Sequence, residues 1–215
     1  MNQDLVILLA AGMLVTAYLM VGQRALFTAI RVYGLQSMLL GGVAVVMALA
    51  DHRPHLLASA ALTIGLKGVL IPWFLMRVID RIGIHREIEP YVNIPSSLLV
   101  CLGLTVVGYR VGAGLVRDAG GHAHHVIGVS LSMLLMGLFM MVTRRKALTQ
   151  VLALLTVENA VFLVALGATT GMPLIVELGI SFDVILAVLI LGVFVHRIAD
   201  RFDSMDVSRL SKLKG

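Results

Sequence analysis

The feature that most constrains this sequence is a series of long apolar runs separated by short polar connections. An α-helix rises about 1.5 Å per residue, so about 20 apolar helical residues span the roughly 30 Å hydrocarbon core of a bilayer. Within lipid each run must be helical, because no water is present to satisfy its backbone polar groups. Seven such runs can be placed, at roughly residues 5–22, 32–50, 56–79, 97–116, 126–143, 148–168 and 174–195. The sequence therefore predicts an all-α, polytopic integral membrane protein with seven transmembrane helices.

The composition excludes several classes of function. Of the 215 residues, 59 % are hydrophobic and 13 % are charged, whereas about a quarter of the residues of a soluble chain are charged. No stretch is long and polar enough to form a soluble catalytic domain. Although the net charge is +5, the basic residues lie in short loops between apolar runs, so we expect lipid and not nucleic acid as the partner. The single cysteine, Cys101, cannot hold an iron–sulfur cluster, and we expect no cofactor in this chain.

Lysine and arginine are distributed unevenly between alternate connections. Three of them, Arg53, Arg110 and Arg117, fall on one side, and Lys67 falls inside the third segment. The other thirteen fall on the opposite side: Arg24, Arg31, Arg77, Arg81, Arg86, Arg144, Arg145, Lys146, Arg197, Arg201, Arg209, Lys212 and Lys214. Because cytoplasmic loops carry the excess of positive charge, the sequence predicts an external amino terminus and a cytoplasmic carboxyl terminus. The expected location is the cell inner membrane.

Two acids lie near the middle of the last two apolar segments. Counting about 1.5 Å per residue from the charged ends places Glu158 and Asp183 roughly 15–20 Å deep. An Asp or a basic residue at the centre of a membrane helix costs about 2.5–3.5 kcal/mol, so such a residue needs a role. One interpretation is that each acid only forms a hydrogen bond or ion pair that holds a neighbouring helix in place. The interpretation we favour is that both carboxyl groups belong to a proton path.

A lysine lies at a similar depth in the third segment. Lys67 is about eleven residues from the start of this segment, and Pro72 follows five residues later. Proline lacks an N–H, and its ring crowds the carbonyl of the residue four positions earlier, here Gly68. The sequence predicts that the helix bends or opens beside the lysine. Lysine can snorkel to the membrane surface, but that reach is poor from the midplane, and we favour a buried, functional Lys67.

Two further patterns in the chain are less specific. The external stretch GGHAHH contains His122, His124 and His125, which could bind a metal, although a solvated loop is the interpretation we favour. Gly108 and Gly112 form a GxxxG pair, which predicts close packing of two helices.

Residues 24–37 and 145–159 resemble each other and indicate an internal duplication. In this alignment Gln36 lies near the place of Glu158, and Lys67 lies near the place of Asp183. Segments one to three and five to seven would then be repeats of the same orientation, with segment four between them. Gln36 is accordingly included among the residues expected on the proton path.

The motifs resemble a known family. After about His124 the chain resembles the K subunit of bacterial respiratory complex I and the C subunit of multisubunit cation/proton antiporters, with an inner Arg144–Arg145 turn and one acid in each of the last two helices. The longer form resembles component E of the hydrogenase-4 type, found in formate hydrogenlyase-like complexes. That likeness lies in TVEN around Glu158, VELGISFDVILAV around Glu177 and Asp183, the lysine before Pro72, and the terminal MDVSRLSKLKG. The resemblance implies two regions, an amino-terminal four-helix region at 1–120 and, at 121–215, a three-helix region like the K subunit.

The resemblance also implies a function and partners. The chain would be a non-redox component of a membrane arm that couples electron transfer to proton or sodium movement. A [NiFe] centre and iron–sulfur clusters would lie on partner proteins, which would include antiporter-like subunits, a relative of the H subunit of complex I, and a peripheral hydrogenase-like arm. Glu158 and Asp183 take the places of the two complex I acids, and Glu177 lies in the motif around Asp183. Lys67, which has no counterpart in the short relatives, and Gln36, from the internal alignment, are the further residues expected on the path. Two alternatives stay open at the level of the sequence: an antiporter subunit without a hydrogenase, and a purely structural clamp.

Overall fold

The chain forms long helices joined by short connections. The computed structural model describes residues 2–50, 54–82, 92–115, 121–144 and 147–168. All regular structure within these ranges is helical: α1 (Asn2–Gly22), α2 (Leu26–Ala50), α3 (Pro54–Leu62), a π-helical segment π1 (Thr63–Leu70), α4 (Ile71–Ile82), α5 (Ile94–Leu115), α6 (Gly121–Thr143) and α7 (Ala147–Ala168).

Six helical spans in the described ranges are long enough and apolar enough to cross a membrane. They are Gln3–Gly22, Leu26–Ala50, Leu57–Arg77, Ile94–Leu115, Ala123–Thr143 and Leu148–Gly167. The third is built from parts of α3 and α4 with π1 between them. The all-α class and the multi-pass character are thereby confirmed, together with six of the seven predicted segments. The seventh, at 174–195, lies outside the described residues, as do Glu177 and Asp183.

Two helices begin five or more residues earlier than the apolar pattern predicts. α2 begins at Leu26 and not near residue 32, and α6 begins at Gly121 and not near residue 126. The extra turn of α2 carries Arg31, whose side chain is exposed, and such a chain can extend its charge toward water while its backbone stays helical. The prediction that the histidines lie in a loop is wrong, because the residues from Gly121 onward belong to α6. A helix continues as long as its backbone groups are bonded, whereas hydropathy marks only the lipid-facing part.

The helices pack around a central α2. α2 contacts α1 on one side, α7 on another, and α3, π1 and α4 along the third span. α6 contacts α1, α5 and α7. Methionine and aliphatic side chains fill the space between them, and Met13, Leu40, Met133, Met136 and Leu155 are fully buried. Flexible methionine side chains suit such irregular gaps.

α5 has the most exposed surface of these spans. Leu99, Leu102, Val106, Val111 and Leu115 are between 49 % and 70 % exposed. Its buried residues are small, namely Ser97, Cys101, Gly108 and Gly112. This division, with apolar side chains outward and small residues inward, is typical of a helix that faces lipid and packs closely on one neighbour.

The predicted GxxxG contact is confirmed between α5 and α6. A Cβ added at Gly108 would lie 2.5 Å from the Ser132 Oγ and 2.6 Å from the Ser132 backbone nitrogen. A Cβ added at Gly112 would lie 3.0 Å from the Gly128 Cα. The Ser132 hydroxyl also donates across the contact to the Thr105 carbonyl oxygen, at 3.1 Å. The two backbones can approach this closely only because glycine has no side chain.

Replacing Gly108 should therefore weaken the α5–α6 contact. We expect Gly108→Ala to lower the free energy of unfolding by about 1–3 kcal/mol, because the added methyl group meets backbone that cannot move away. Gly103→Ala on the same helix is the matched control, since no atom lies within 4 Å of a Cβ there. The measurement is unfolding of both variants in detergent micelles, and equal stability of the two would contradict the contact.

Candidate functional site

A buried ion pair joins the third span to α7. The Lys67 Nζ lies 3.2 Å from the Glu158 Oε1, and the two side chains are only 2 % and 6 % exposed. Lys67 comes from π1 and Glu158 from the middle of α7. Two residues that the sequence marks only by their depth are thus brought together, 91 positions apart in the chain. Because Lys67 is buried, its ammonium group does not snorkel to the membrane surface.

The backbone around Lys67 has the local disruption that Pro72 predicts. From Thr63 to Leu70 the helix is π-helical, and the Ile71 N–H donates to the Leu66 carbonyl oxygen five residues earlier. Pro72 has no N–H to offer the Gly68 carbonyl, so α-helical bonding could not continue unbroken at this point. The predicted opening of the helix takes the form of this wider turn. π-Helical turns are rare and are frequently found at functional sites.

Glycines on α2 allow π1 and α4 to come close. A Cβ at Gly34 would lie 3.2 Å from both the Gly68 carbonyl oxygen and the Pro72 Cγ. A Cβ at Gly41 would collide with the Ile64 side chain. At both positions a larger residue would push the third span away from α2, and Lys67 lies between the two contacts.

A second set of polar residues links α2 to α7 beside the ion pair. The Asn159 Nδ2 donates to the Gln36 Oε1 at 3.3 Å and to the Ser37 Oγ at 3.1 Å. The Gln36 Nε2 reaches the Met13 carbonyl oxygen on α1 at 3.5 Å. Gln36, Ser37 and Asn159 are each fully buried. Gln36 therefore contacts the residue that directly follows Glu158.

Asn159 and Ser37 are site residues that sequence reasoning missed. Asn159 stands in the TVEN motif, directly after Glu158, and Ser37 stands at its place in the internal alignment. The signal was therefore present in the alignment, but only the tertiary contact identifies it.

The Lys67–Glu158 pair has no net charge, whether both groups are ionised or both are neutral. At 3.2 Å the two charged atoms form an ion pair, although the Glu158 Oε1 is without a hydrogen-bond donor among the described residues. Moving one proton from lysine to glutamate converts two charges into two neutral groups, and the sum stays zero in both states. An isolated charge at this depth would be far more costly. Within the described residues, neither oxygen of the Glu158 carboxylate has a hydrogen-bond donor.

Arg144 forms a separate link at the end of α6. Its side chain is buried, and its guanidinium donates to the Val21 carbonyl oxygen at 2.6 Å. Val21 is in the last turn of α1, where carbonyls have no partner within the helix. The arginine thus caps α1 and ties its end to α6. We assign it a structural role.

The histidines near the start of α6 contact one another and Tyr109. The ring centroids of His124 and His125 are 5.3 Å apart, and each lies about 6.5 Å from the Tyr109 ring, with edge-on geometry. Among the residues with described side chains, no group of three or more His, Cys, Asp or Glu side chains could hold a metal ion. The side chain of His122 is outside that set.

Comparison with known proteins identifies one relative that matches nearly the whole chain and others that match less than half of it. The sequence is 31 % identical over 206 residues to the uncharacterized protein Rv0085 of Mycobacterium tuberculosis, which covers 95 % of this chain and 94 % of the relative. The chain belongs to the family of Rv0085. This Rv0085-family chain is also 33 % identical over 89 residues to hydrogenase-4 component E of Escherichia coli (strain K12) and of Shigella flexneri, a match that covers 41 % of each protein. No family model and no solved structure matches.

The ion pair should be visible as energetic coupling in this Rv0085-family protein. We expect Lys67→Met or Glu158→Met alone to lower the free energy of unfolding by about 3–5 kcal/mol, because each leaves one buried charge without its partner. The double variant should cost less than the sum of the two by about 1–3 kcal/mol. Unfolding of all four proteins in mixed micelles provides the measurement. Strictly additive losses would show that the two charges do not interact.

Proposed function

We propose that the chain is a non-redox subunit in the membrane arm of an energy-converting [NiFe] hydrogenase or complex I-like assembly. The observation that carries the proposal is the buried Lys67–Glu158 pair, since ionisable residues inside a membrane are costly and mark ion pathways. The partial similarity to hydrogenase-4 component E supports the type of assembly. In that setting the chain contributes to proton, or sodium, translocation coupled to electron transfer.

The pair would work as a switchable proton relay. In one state Lys67 is charged and Glu158 is ionised, and in the other both groups are neutral. A charge that arrives on a neighbouring group favours one state over the other and drives the proton in one direction. Lysine suits this role because it can lose its proton when desolvated, whereas arginine stays charged.

The rest of the path is proposed from the resemblance. Asp183 and Glu177 would continue it from the last segment, and Gln36 would line it as a neutral neighbour. The partners would be antiporter-like subunits, a protein related to the H subunit of complex I, and a peripheral hydrogenase-like arm, all at the cell inner membrane. The [NiFe] centre and the iron–sulfur clusters would belong to those partners. Cys101 is buried, and the described part of this chain offers no thiolate cluster.

A structural clamp is the second candidate, and one observation favours it. The ion pair and the Asn159 contacts together hold α2, π1 and α7 in one arrangement, which is also what a purely structural subunit would require. A clamp needs shape and hydrogen bonds but does not need a group that releases a proton.

Charge-neutral substitutions separate the two functions. Glu158→Gln and Asp183→Asn keep size and most hydrogen bonding but remove the titrating proton. We expect complexes that still assemble, with a lower yield for Glu158→Gln because Lys67 loses its carboxylate partner, but that couple electron transfer to proton uptake poorly in reconstituted vesicles. Lys67→Arg keeps the charge and should impair coupling as well, because arginine cannot release its proton.

The measurement is complex yield on a native gel beside proton uptake per electron transferred. Full coupling in an intact complex with Glu158→Gln and Asp183→Asn would favour the clamp. Near-normal uptake with Lys67→Arg, together with failed assembly of Lys67→Met, would remove Lys67 from the path and leave it as a structural ion-pair partner.

We also propose the orientation and the seventh span, from the thirteen basic residues on one side against three on the other. A reporter fused after Gly215 should be active only in the cytoplasm, and one inserted near Gly121 should be active only outside. A carboxyl terminus outside the cytoplasm would contradict seven segments. The reporter inserted near Gly121 tests the same orientation without altering the carboxyl terminus.

A further inference from the structure

The buried residues of the third span recur at a spacing that does not fit a regular α-helix. One series recurs every four residues, namely Ser59, Thr63, Lys67, Ile71, Leu75 and Ile79. The other buried residues of the span, Ala60, Gly68 and Pro72, each directly follow a member of this series. Each α-helical residue turns about 100°, so four residues overshoot a full turn by about 40°. Over the five steps from Ser59 to Ile79 the overshoot would reach about 200°. A regular helix would therefore point Ile79 and Ser59 in nearly opposite directions.

The span nevertheless keeps one side toward the protein. α3, π1 and α4 all contact α2. Val69, Leu70 and Trp73 are more than half exposed. An i→i+5 bond places more residues in each turn than the 3.6 of an α-helix, so each residue of π1 turns through a smaller angle. One additional residue in the helix compensates about 100° of rotation. The π-helical segment therefore removes about half of the overshoot, at the place where Lys67 lies.

We infer that π1 is the positioning element that aims Lys67 at Glu158. If residues 63–70 were α-helical, the parts of the span before and after Lys67 would be rotated by about 100° relative to each other. The two parts could then not both keep their present sides toward α2 with Lys67 directed at α7. The role in proton exchange rests on the proposed function, whereas the positioning of Lys67 stands on the backbone geometry alone.

The sequence around π1 favours this register at two points. Pro72 denies the Gly68 carbonyl its α-helical donor, so an α-helical register has one bond fewer to gain there. Gly34 on α2 leaves room for the Gly68 carbonyl and the Pro72 ring, each 3.2 Å from where its Cβ would be. Both Pro72 in the same span and Gly34 on α2 thus favour the π-helical bonding of π1.

Gly65 offers a clean test of the register. It is exposed, and no atom lies within 4 Å of a Cβ placed there. Gly65→Ala should therefore keep the register without a clash. Deleting Gly65 removes one residue ahead of Lys67 and turns Lys67 by about 100° relative to the residues before it. A third variant deletes Gly65 and inserts one alanine after Leu70, which restores the length but leaves Lys67 displaced.

The readout is the coupling between Lys67 and Glu158, measured by a double-mutant cycle to methionine in each background. In the parent and in Gly65→Ala we expect about a tenfold or larger coupling in the unfolding equilibrium constant. In the two variants lacking Gly65 we expect about twofold or less. A parallel cycle with Ser37→Ala and Asn159→Leu reports the α2–α7 contact, which should persist in all four backgrounds.

Coupling retained between Lys67 and Glu158 in either variant lacking Gly65 would overturn the positioning role. Loss of both couplings together would also overturn it, because the extra residue would then be a requirement of the whole fold. Loss of the first coupling alone supports it, whatever the vesicle measurements show. If Glu158→Gln leaves proton coupling intact while these cycles behave as expected, the proposed function fails and the positioning of Lys67 by π1 stands.

Discussion

The arrangement of this protein depends on the cost of placing two opposite charges inside an apolar bundle. Neither Lys67 nor Glu158 can be buried alone without a penalty of several kcal/mol, so the helices that carry them must meet. That requirement joins the third span to α7 at 3.2 Å between charged atoms. Apolar packing alone would not fix this contact, because lipid tails solvate an aliphatic side chain about as well as another helix does. The ion pair supplies a specificity that hydrophobicity cannot supply in a membrane.

α2 is the helix on which this contact is assembled. Its Gly34 and Gly41 allow π1 and α4 to pack closely on it. Its Gln36 and Ser37 accept hydrogen bonds from Asn159 of α7. The two partners of the ion pair therefore take their positions from a third helix that carries neither charge. This arrangement resembles other buried functional sites, in which surrounding hydrogen bonds and close packing orient the groups that carry the chemistry.

The sequence predicted what depends on length and polarity, and less of what depends on contact. Six spans followed from apolar length alone, since lipid makes helix the only solution for each run. The depths of Lys67 and Glu158 followed from counting, but their pairing did not, because 91 residues separate them and no local pattern links them. Pro72 signalled a break, yet the i→i+5 bonding depends on how α2 receives the backbone. Nothing in the local sequence distinguishes Asn159 from other polar residues, and only its hydrogen bonds to Gln36 and Ser37 identify it as part of the site. Asp183 and Glu177 lie outside the described residues and remain predictions.

The order of the partners along the chain has a consequence for synthesis. Lys67 leaves the ribosome roughly 90 residues before Glu158, which at about 5–20 residues per second is a delay of about 5–18 s. During that delay the third span must enter the bilayer with a lysine that has no acid yet to pair with, at a cost of about 2.5–3.5 kcal/mol. The apolar residues around Lys67 must offset this cost by themselves. The finished ion pair then relieves a penalty that the nascent chain has already overcome.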